Sequence, residues 1–169
     1  MFLNILVCVD GSAHAVRALN EAIDLAAAER SRLTILTAVA RPPFWACTPE
    51  TANCIESLSA DFAAEAAAVL DAAVDRVPAS IPVTKILSAE PIREALMERI
   101  HCGGHDLVVM GSRGRGALTA SVLGSVSHYA LNHCHVPVLI VHEDDEQHSE
   151  DHARIIRASE GEPPIAAAA

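Results

Sequence analysis

The residues best suited to chemistry lie in the run VVMGSRGRGALTASVLGS, which leaves an apolar stretch and enters a helical one. Its glycines at 111, 114 and 116 let the backbone turn tightly and approach a ligand with no side chain in the way. The amides of that turn and of the following helix start would converge on one spot. The helix dipole adds partial positive charge there, an arrangement that favours phosphate. Arg113 and Arg115 add full charges, and the hydroxyls of Ser125 and Ser127 can donate to phosphate oxygens. No Gly-Lys-Ser/Thr follows, so this is not a Walker-type loop. A glycine-rich strand-to-helix turn can also be no more than a tight connection, and the loop alone does not choose.

Asp10 is the second candidate. It closes the apolar stretch FLNILVCV, at the edge where open α/β sheets bind ligands. A carboxylate there suits a ribose hydroxyl or an adenine amino group. The competing reading is a turn or helix-capping Asp in VDGS. Both candidates fall on strand ends at one edge of the same sheet, and that coincidence points to a nucleotide.

The elements that must position them follow from the apolar pattern. Near-continuous runs at Phe2–Val9, Leu33–Val39, Leu107–Met110 and Val136–Val141 read as strands buried on both faces, as in a parallel sheet. A fifth, weaker strand is expected around Ile81–Leu87. Between them lie four helices. Ser12 caps the first, with Val16, Leu19, Ile23 and Ala26 at helical spacing. The second runs roughly over Ile55–Val77. Pro91 opens the third and Gly103-Gly104 ends it, while the fourth carries Val122, Val126, Tyr129 and His133 on one stripe. The strict alternation of strand and helix is that of a doubly wound α/β sheet.

Two segments fall outside the repeat. Arg41–Asn53, with three prolines and Trp45, reads as an excursion after the second strand. Residues 143–169 form an acidic tail that is expected to be mobile. The chain has 169 residues, enough for one domain with a sizeable core, and a formal charge of −10. Eight acids and two arginines put −6 of that charge in the tail. Such a surface repels phosphate backbones and anionic lipid, which excludes nucleic acid and membrane as main partners. No apolar run approaches the ~20 residues that cross a bilayer. The apolar start lacks a basic flank and reads as a strand rather than a signal peptide, so a cytoplasmic location with reduced cysteines is expected.

ILVCVDGSAHAVRAL, DLVVMGSRGRG and LGSVSHYALNHCHVPVLIVH together resemble the universal stress protein family over about residues 2–142. ATP-binding members carry Gly, two residues, Gly, nine residues, Gly, then Ser or Thr; Gly111, Gly114 and Gly124-Ser125 match that spacing. The resemblance implies a Rossmann-like five-stranded parallel sheet in the order 3-2-1-4-5, with helices on both faces. It also implies ATP as ligand, with Mg²⁺ or Mn²⁺ carried on the phosphates. By this carry-over Asp10 holds the adenosine, and Val39 or its neighbour Ala38 lines the adenine pocket. Gly111, Gly114, Gly124, Ser125 and Ser127 hold the ribose and phosphates, with Arg113 and Val126 beside them. A homodimer through the last strand, residues 136–141, and a protein partner of unstated identity complete the expectation. One departure is visible: the family's usual glycine before the helix-opening proline is replaced in Ser88-Ala89-Glu90-Pro91.

Other readings are weaker. His133-Cys134-His135 could suggest a metal, but adjacent positions on a helix end do not face one another. The reading preferred is a helix end packed toward the sheet. Cys47 and Cys54 could form a redox pair or a zinc half-site, yet no second ligand pair with zinc spacing appears. His14 lies near Asp10 and reads as a surface residue, with contact to the nucleotide as the competing reading. No Ser-His-Asp set or histidine-rich nucleotidyl-transfer signature is present, so no catalytic residue is assigned. Slow ATP hydrolysis, or autophosphorylation on Ser125 or Ser127, is the most enzymatic activity that the residues support. The expected function is a nucleotide-dependent stress or signalling module, with such a slow enzyme, or a nucleotide-independent scaffold of the same fold, as the alternatives.

Overall fold

The computed structural model describes residues 1–40, 52–115 and 123–142. Residues 41–51 of the expected excursion, Gly116, Val122 and the acidic tail lie outside the described residues, while Ala52 and Asn53, expected in the excursion, belong to the second helix. The order of elements is β1 (Asn4–Cys8), α1 (Ala13–Glu29), β2 (Arg32–Ala38), α2 (Ala52–Val74), β3 (Val83–Ser88), α3 (Ile92–Cys102), β4 (Leu107–Gly111), α4 (Ser125–His133) and β5 (Val138–Val141). All four strand pairings are parallel, and the sheet order is β3-β2-β1-β4-β5. This is the doubly wound arrangement expected from the alternating pattern.

The central strands read as unbroken apolar runs because both of their faces are covered. Ile5, Val7, Leu33, Ile35 and Val109 pack under α1 and α2. Leu6, Cys8, Leu36, Val108 and Met110 pack under α3 and α4. The two edge strands differ: Val83 and Leu87 of β3 and Leu139 of β5 are exposed. Lys85, midway along β3, forms an exposed ion pair with Asp71 at 2.7 Å, and such a charge discourages further strand pairing. At the opposite end of the sheet from the loops, Asp106 accepts hydrogen bonds from the amides of Leu3 and Asn4 and so fixes the start of β1 against β4.

Helix α1 begins as expected, with the Ser12 hydroxyl accepting from the Ala15 amide. Its buried face is rotated from the expected stripe, however. Ala15, Ala18, Leu19, Ala22 and Ala26 are buried, whereas Val16 and Ile23 are only half-buried. The helix lies so close to β4 that alanines take the contact, and the larger residues move to its flanks.

Two expectations for α4 also change. Ser127 and Ala130 are its buried residues, and His133 is exposed, so the stripe through His133 does not face the sheet. Its ring instead stacks on Tyr129, with centroids 4.0 Å apart. Cys134 alone of the His-Cys-His run packs against the core. His135 lies near His101, with ring centroids 5.2 Å apart. Among the described residues no group of three or more His, Cys, Asp or Glu is arranged to hold a metal. The missing glycine before Pro91 has a local substitute, since the Ser88 hydroxyl accepts from the Glu90 amide at 3.1 Å and holds the turn.

Candidate functional site

At the carboxyl ends of β1 and β4, where the strand order reverses, a cleft of about 970 Å³ opens. Asp10, Val39, Gly111, Arg113, Gly114, Gly124, Ser125, Val126 and Ser127 all line it, as does Ala38. Every residue assigned from sequence to ligand contact is therefore brought to one place, although what each contacts is a separate matter.

The Asp10 carboxylate organises one wall. Its Oδ1 accepts from the Ser12 amide at 3.0 Å and the Ser12 hydroxyl at 2.6 Å. Its Oδ2 accepts from the Arg115 amide at 3.1 Å, across 105 residues of chain. Asp10 thus ties the end of β1 to the glycine loop. Each carboxylate oxygen offers about two acceptor positions, so Oδ2 keeps one for a further donor. Gly114 is required for this closeness, because a Cβ there would stand 2.5 Å from Oδ2.

The other glycines differ in purpose. A Cβ on Gly111 would meet the backbone of α1, at 2.7 Å from the carbonyl carbon of His14 and 2.9 Å from the Ala15 nitrogen. Gly111 is a glycine for packing. Gly124 has φ −70° and ψ 160°, a conformation open to any residue, and a Cβ there would find only ordinary contacts at 3.4 Å and beyond. Among the described residues, neither strain nor crowding calls for a glycine at this position. It also starts α4 without a side-chain cap, so the amides of the first turn face the cleft with no hydroxyl or carboxylate of the cap residue before them.

Two expected phosphate ligands are otherwise engaged. The Ser127 hydroxyl is buried and donates to the Gly111 carbonyl at 2.8 Å, holding α4 to the end of β4. Only its amide, in the first turn of α4, remains suited to an anion. The Arg115 guanidinium reaches away from the cleft to Glu65 of α2 at 2.8 Å. Both groups are exposed, so the pair orients the loop more than it stabilises the fold. Ser112, directly after Gly111 at the start of the loop, is fully buried, and no hydrogen-bond partner for its hydroxyl is present among the described residues.

Cys8 lies at the base of the cleft, buried, with its thiol pushed up to about 12, first by burial and then by the nearby Cys134 and Asp10 charges. The neutral thiol is a poor nucleophile. Alkylation of the native protein near pH 8 is therefore expected to modify exposed Cys102 and to reach Cys8 only in denaturant. The folded state favours the neutral form, so this contribution to stability is full below the ordinary value of 9.0 and declines as pH rises from there toward 12. Urea unfolding at pH 8 and pH 10.5 should show a smaller alkaline loss in Cys8→Ala than in the wild type; equal losses would contradict the assignment.

Arg93 was not legible as a site residue. It lines the cleft from the first turn of α3, donating from Nη2 to the Ser125 carbonyl at 3.2 Å. Its Cζ lies 5.1 Å from the centre of the Tyr129 ring.

A doubly wound domain with a glycine-lined cleft at its switch point is the class that fold and site define. The model of the universal stress protein family matches residues 1–142, and the chain belongs to that family. Among curated relatives, YxiE of Bacillus subtilis is 29% identical over 148 residues, covering 83% of this chain and 99% of the relative. Mb2019 of Mycobacterium bovis is 36% identical over 63 residues, which are 37% of this chain and 20% of that longer protein. A universal stress protein solved in complex with cAMP aligns over 83% of this chain and 97% of its own, at 27% identity and a TM-score of 0.59. At3g01520 of Arabidopsis thaliana, solved with AMP bound, shares the fold at a TM-score of 0.60 and 15% identity, covering 89% of this chain and 98% of its own. No helix among the described residues is long and apolar enough to cross a membrane.

Proposed function

We propose that this chain is an ATP-binding universal stress protein, a stress-response or signalling module whose occupancy by nucleotide changes the surface it offers to a protein partner. The observation that carries the reading is the uncapped start of α4 at Gly124, which opens into the cleft at a position where the described residues do not themselves require a glycine. Backbone amides at a helix N-terminus suit phosphate, and the free acceptor position on Asp10 suits a sugar hydroxyl. Val39 and Ala38 supply an apolar wall for the base. Relatives solved with cAMP and AMP support an adenine nucleotide as the ligand class.

A divalent cation, Mg²⁺ or Mn²⁺, fits this site only as an ion carried by the ligand. The Asp10 oxygens already hold three donors, so phosphates and water would supply most of the coordination. Such an ion would neutralise phosphate charge. Slow hydrolysis or autophosphorylation is the alternative reading, and the titratable groups lining the described cleft that it would draw on are Asp10 and His128. Homodimerisation would run through the β5 edge, where Leu139 is exposed, and the protein would act in the cytoplasm.

The test is to denature freshly purified protein and identify any released nucleotide by mass. ATP is expected in roughly stoichiometric amount, and AMP or cAMP in its place would redirect the assignment within the same class. Added ATP at 100 times its Kd should stabilise empty protein by about 2.7 kcal/mol. An empty protein whose melting temperature ignores ATP, AMP and cAMP would end the nucleotide reading.

A further inference from the structure

We infer that Arg93 is a specificity-determining residue of this cleft, a cation that moves from Ser125 and Tyr129 onto the ligand's phosphates and selects for phosphorylated over unphosphorylated adenosine. The inference rests on the adenine-nucleotide reading above and adds to it a residue outside the glycine loop.

The position of the guanidinium is electrostatically awkward. Arg93 is the second residue of α3, where the positive end of the helix dipole disfavours a cation. Its Nη2 then reaches the carbonyl of Ser125, the first residue of α4, and so stands beside a second helix N-terminus. Among the described residues no carboxylate pairs with it, in a protein with ten more acids than bases. Its partners are one carbonyl and one aromatic face, both exchangeable at an exposed site.

An anion between the two helix starts removes the conflict. Phosphate on the amides of Ser125, Val126 and Ser127 would lie within a short side-chain movement of a guanidinium already docked on Ser125. The planar fork then offers two parallel N–H donors to phosphate oxygens. Asp10 and the apolar wall at Val39 recognise nucleoside, whereas Arg93 reads only what the nucleoside carries.

Binding of ATP, AMP, adenosine and inorganic tripolyphosphate should be compared by calorimetry in the wild type, Arg93→Gln and Arg93→Lys. Arg93→Gln is expected to weaken ATP by about 20-fold, the scale of one charge-assisted phosphate contact, and adenosine by less than about 2-fold. Arg93→Lys should recover part of the ATP affinity. Removing one phosphate contact should also flatten the salt dependence of ATP binding. Equal weakening of ATP and adenosine would make Arg93 a structural support and overturn the inference, as would unchanged ATP affinity. The wild-type titrations judge the nucleotide reading separately. If tripolyphosphate binds and no adenine ligand does, that reading fails, while Arg93 is still judged by the loss of tripolyphosphate in Arg93→Gln.

Discussion

Gly124→Val is expected to abolish stoichiometric ATP binding while leaving a folded protein. The first carbon of the new side chain meets the Ser112 carbonyl oxygen at 3.4 Å and the Arg113 Cα at 3.5 Å, ordinary contact distances. The backbone at φ −70° accepts valine without strain. Valine is a poorer helix cap than glycine, so a stability loss of up to about 1 kcal/mol is expected. The branched side chain would occupy the space before the first amides of α4, where phosphate must approach within hydrogen-bond distance. Losing that approach should raise the Kd for ATP by about 100-fold, equivalent to about 2.7 kcal/mol. Calorimetry beside a thermal melt checks both halves. ATP binding within a few-fold of the wild type would mean that phosphate does not use this helix start. Gly114→Val is a poorer test, because its side chain would collide with Asp10 and disturb the loop whether or not a ligand binds.

Gly111→Ala should act first on stability, through contacts between β4 and the backbone of α1. Its Cβ would lie 2.7 Å and 2.8 Å from the carbonyl carbon and Cβ of His14 and 2.9 Å from the Ala15 nitrogen, so backbone must move. The atoms that must give belong to the first turn of α1, which Ser12 caps and Asp10 supports. Overpacking of this kind costs about 2–3 kcal/mol. For a domain of this size that is roughly 5–10 °C in melting temperature. An unchanged melt would show that α1 sits less tightly on β4 than these distances state.

These two glycines show how far the residues alone could be read. The strands and helices were legible because unbroken Val, Ile and Leu runs admit few arrangements other than a covered parallel sheet. Asp10 and the glycine loop were legible as a pair because both fall on strand ends. Which glycine is crowded by the fold and which is not was not legible, since that depends on the backbone of α1, about a hundred residues earlier in the chain. The partner of Arg115 is Glu65, 50 residues away, and nothing local marks it. Ser127 was read as a phosphate ligand by its type, but its hydroxyl is turned inward by the carbonyl that closes β4. Arg93 did leave a signal. A cation in the opening turn of a helix just after Pro91 runs against the usual charge preference.

The pairing of β1 with β4 sets Ile5 against Leu107 and Cys8 against Met110, so the middle of the sheet joins segments about a hundred residues apart. During synthesis, a chain released only as far as β3 has β1 and β2 but leaves one edge of β1 bare. Neither the cleft nor the lock of Asp106 on the start of β1 exists at that stage. The nascent protein must leave one edge of a strand that is apolar from Ile5 to Cys8 unpaired until nearly two-thirds of the chain has emerged, the kind of exposed edge that invites wrong partners. The helix start proposed to hold the ligand comes later still, because α4 follows β4 in the chain. A nucleotide bound as proposed would therefore report that β1 and β4 are already paired, and no chain ending before α4 could compete for it.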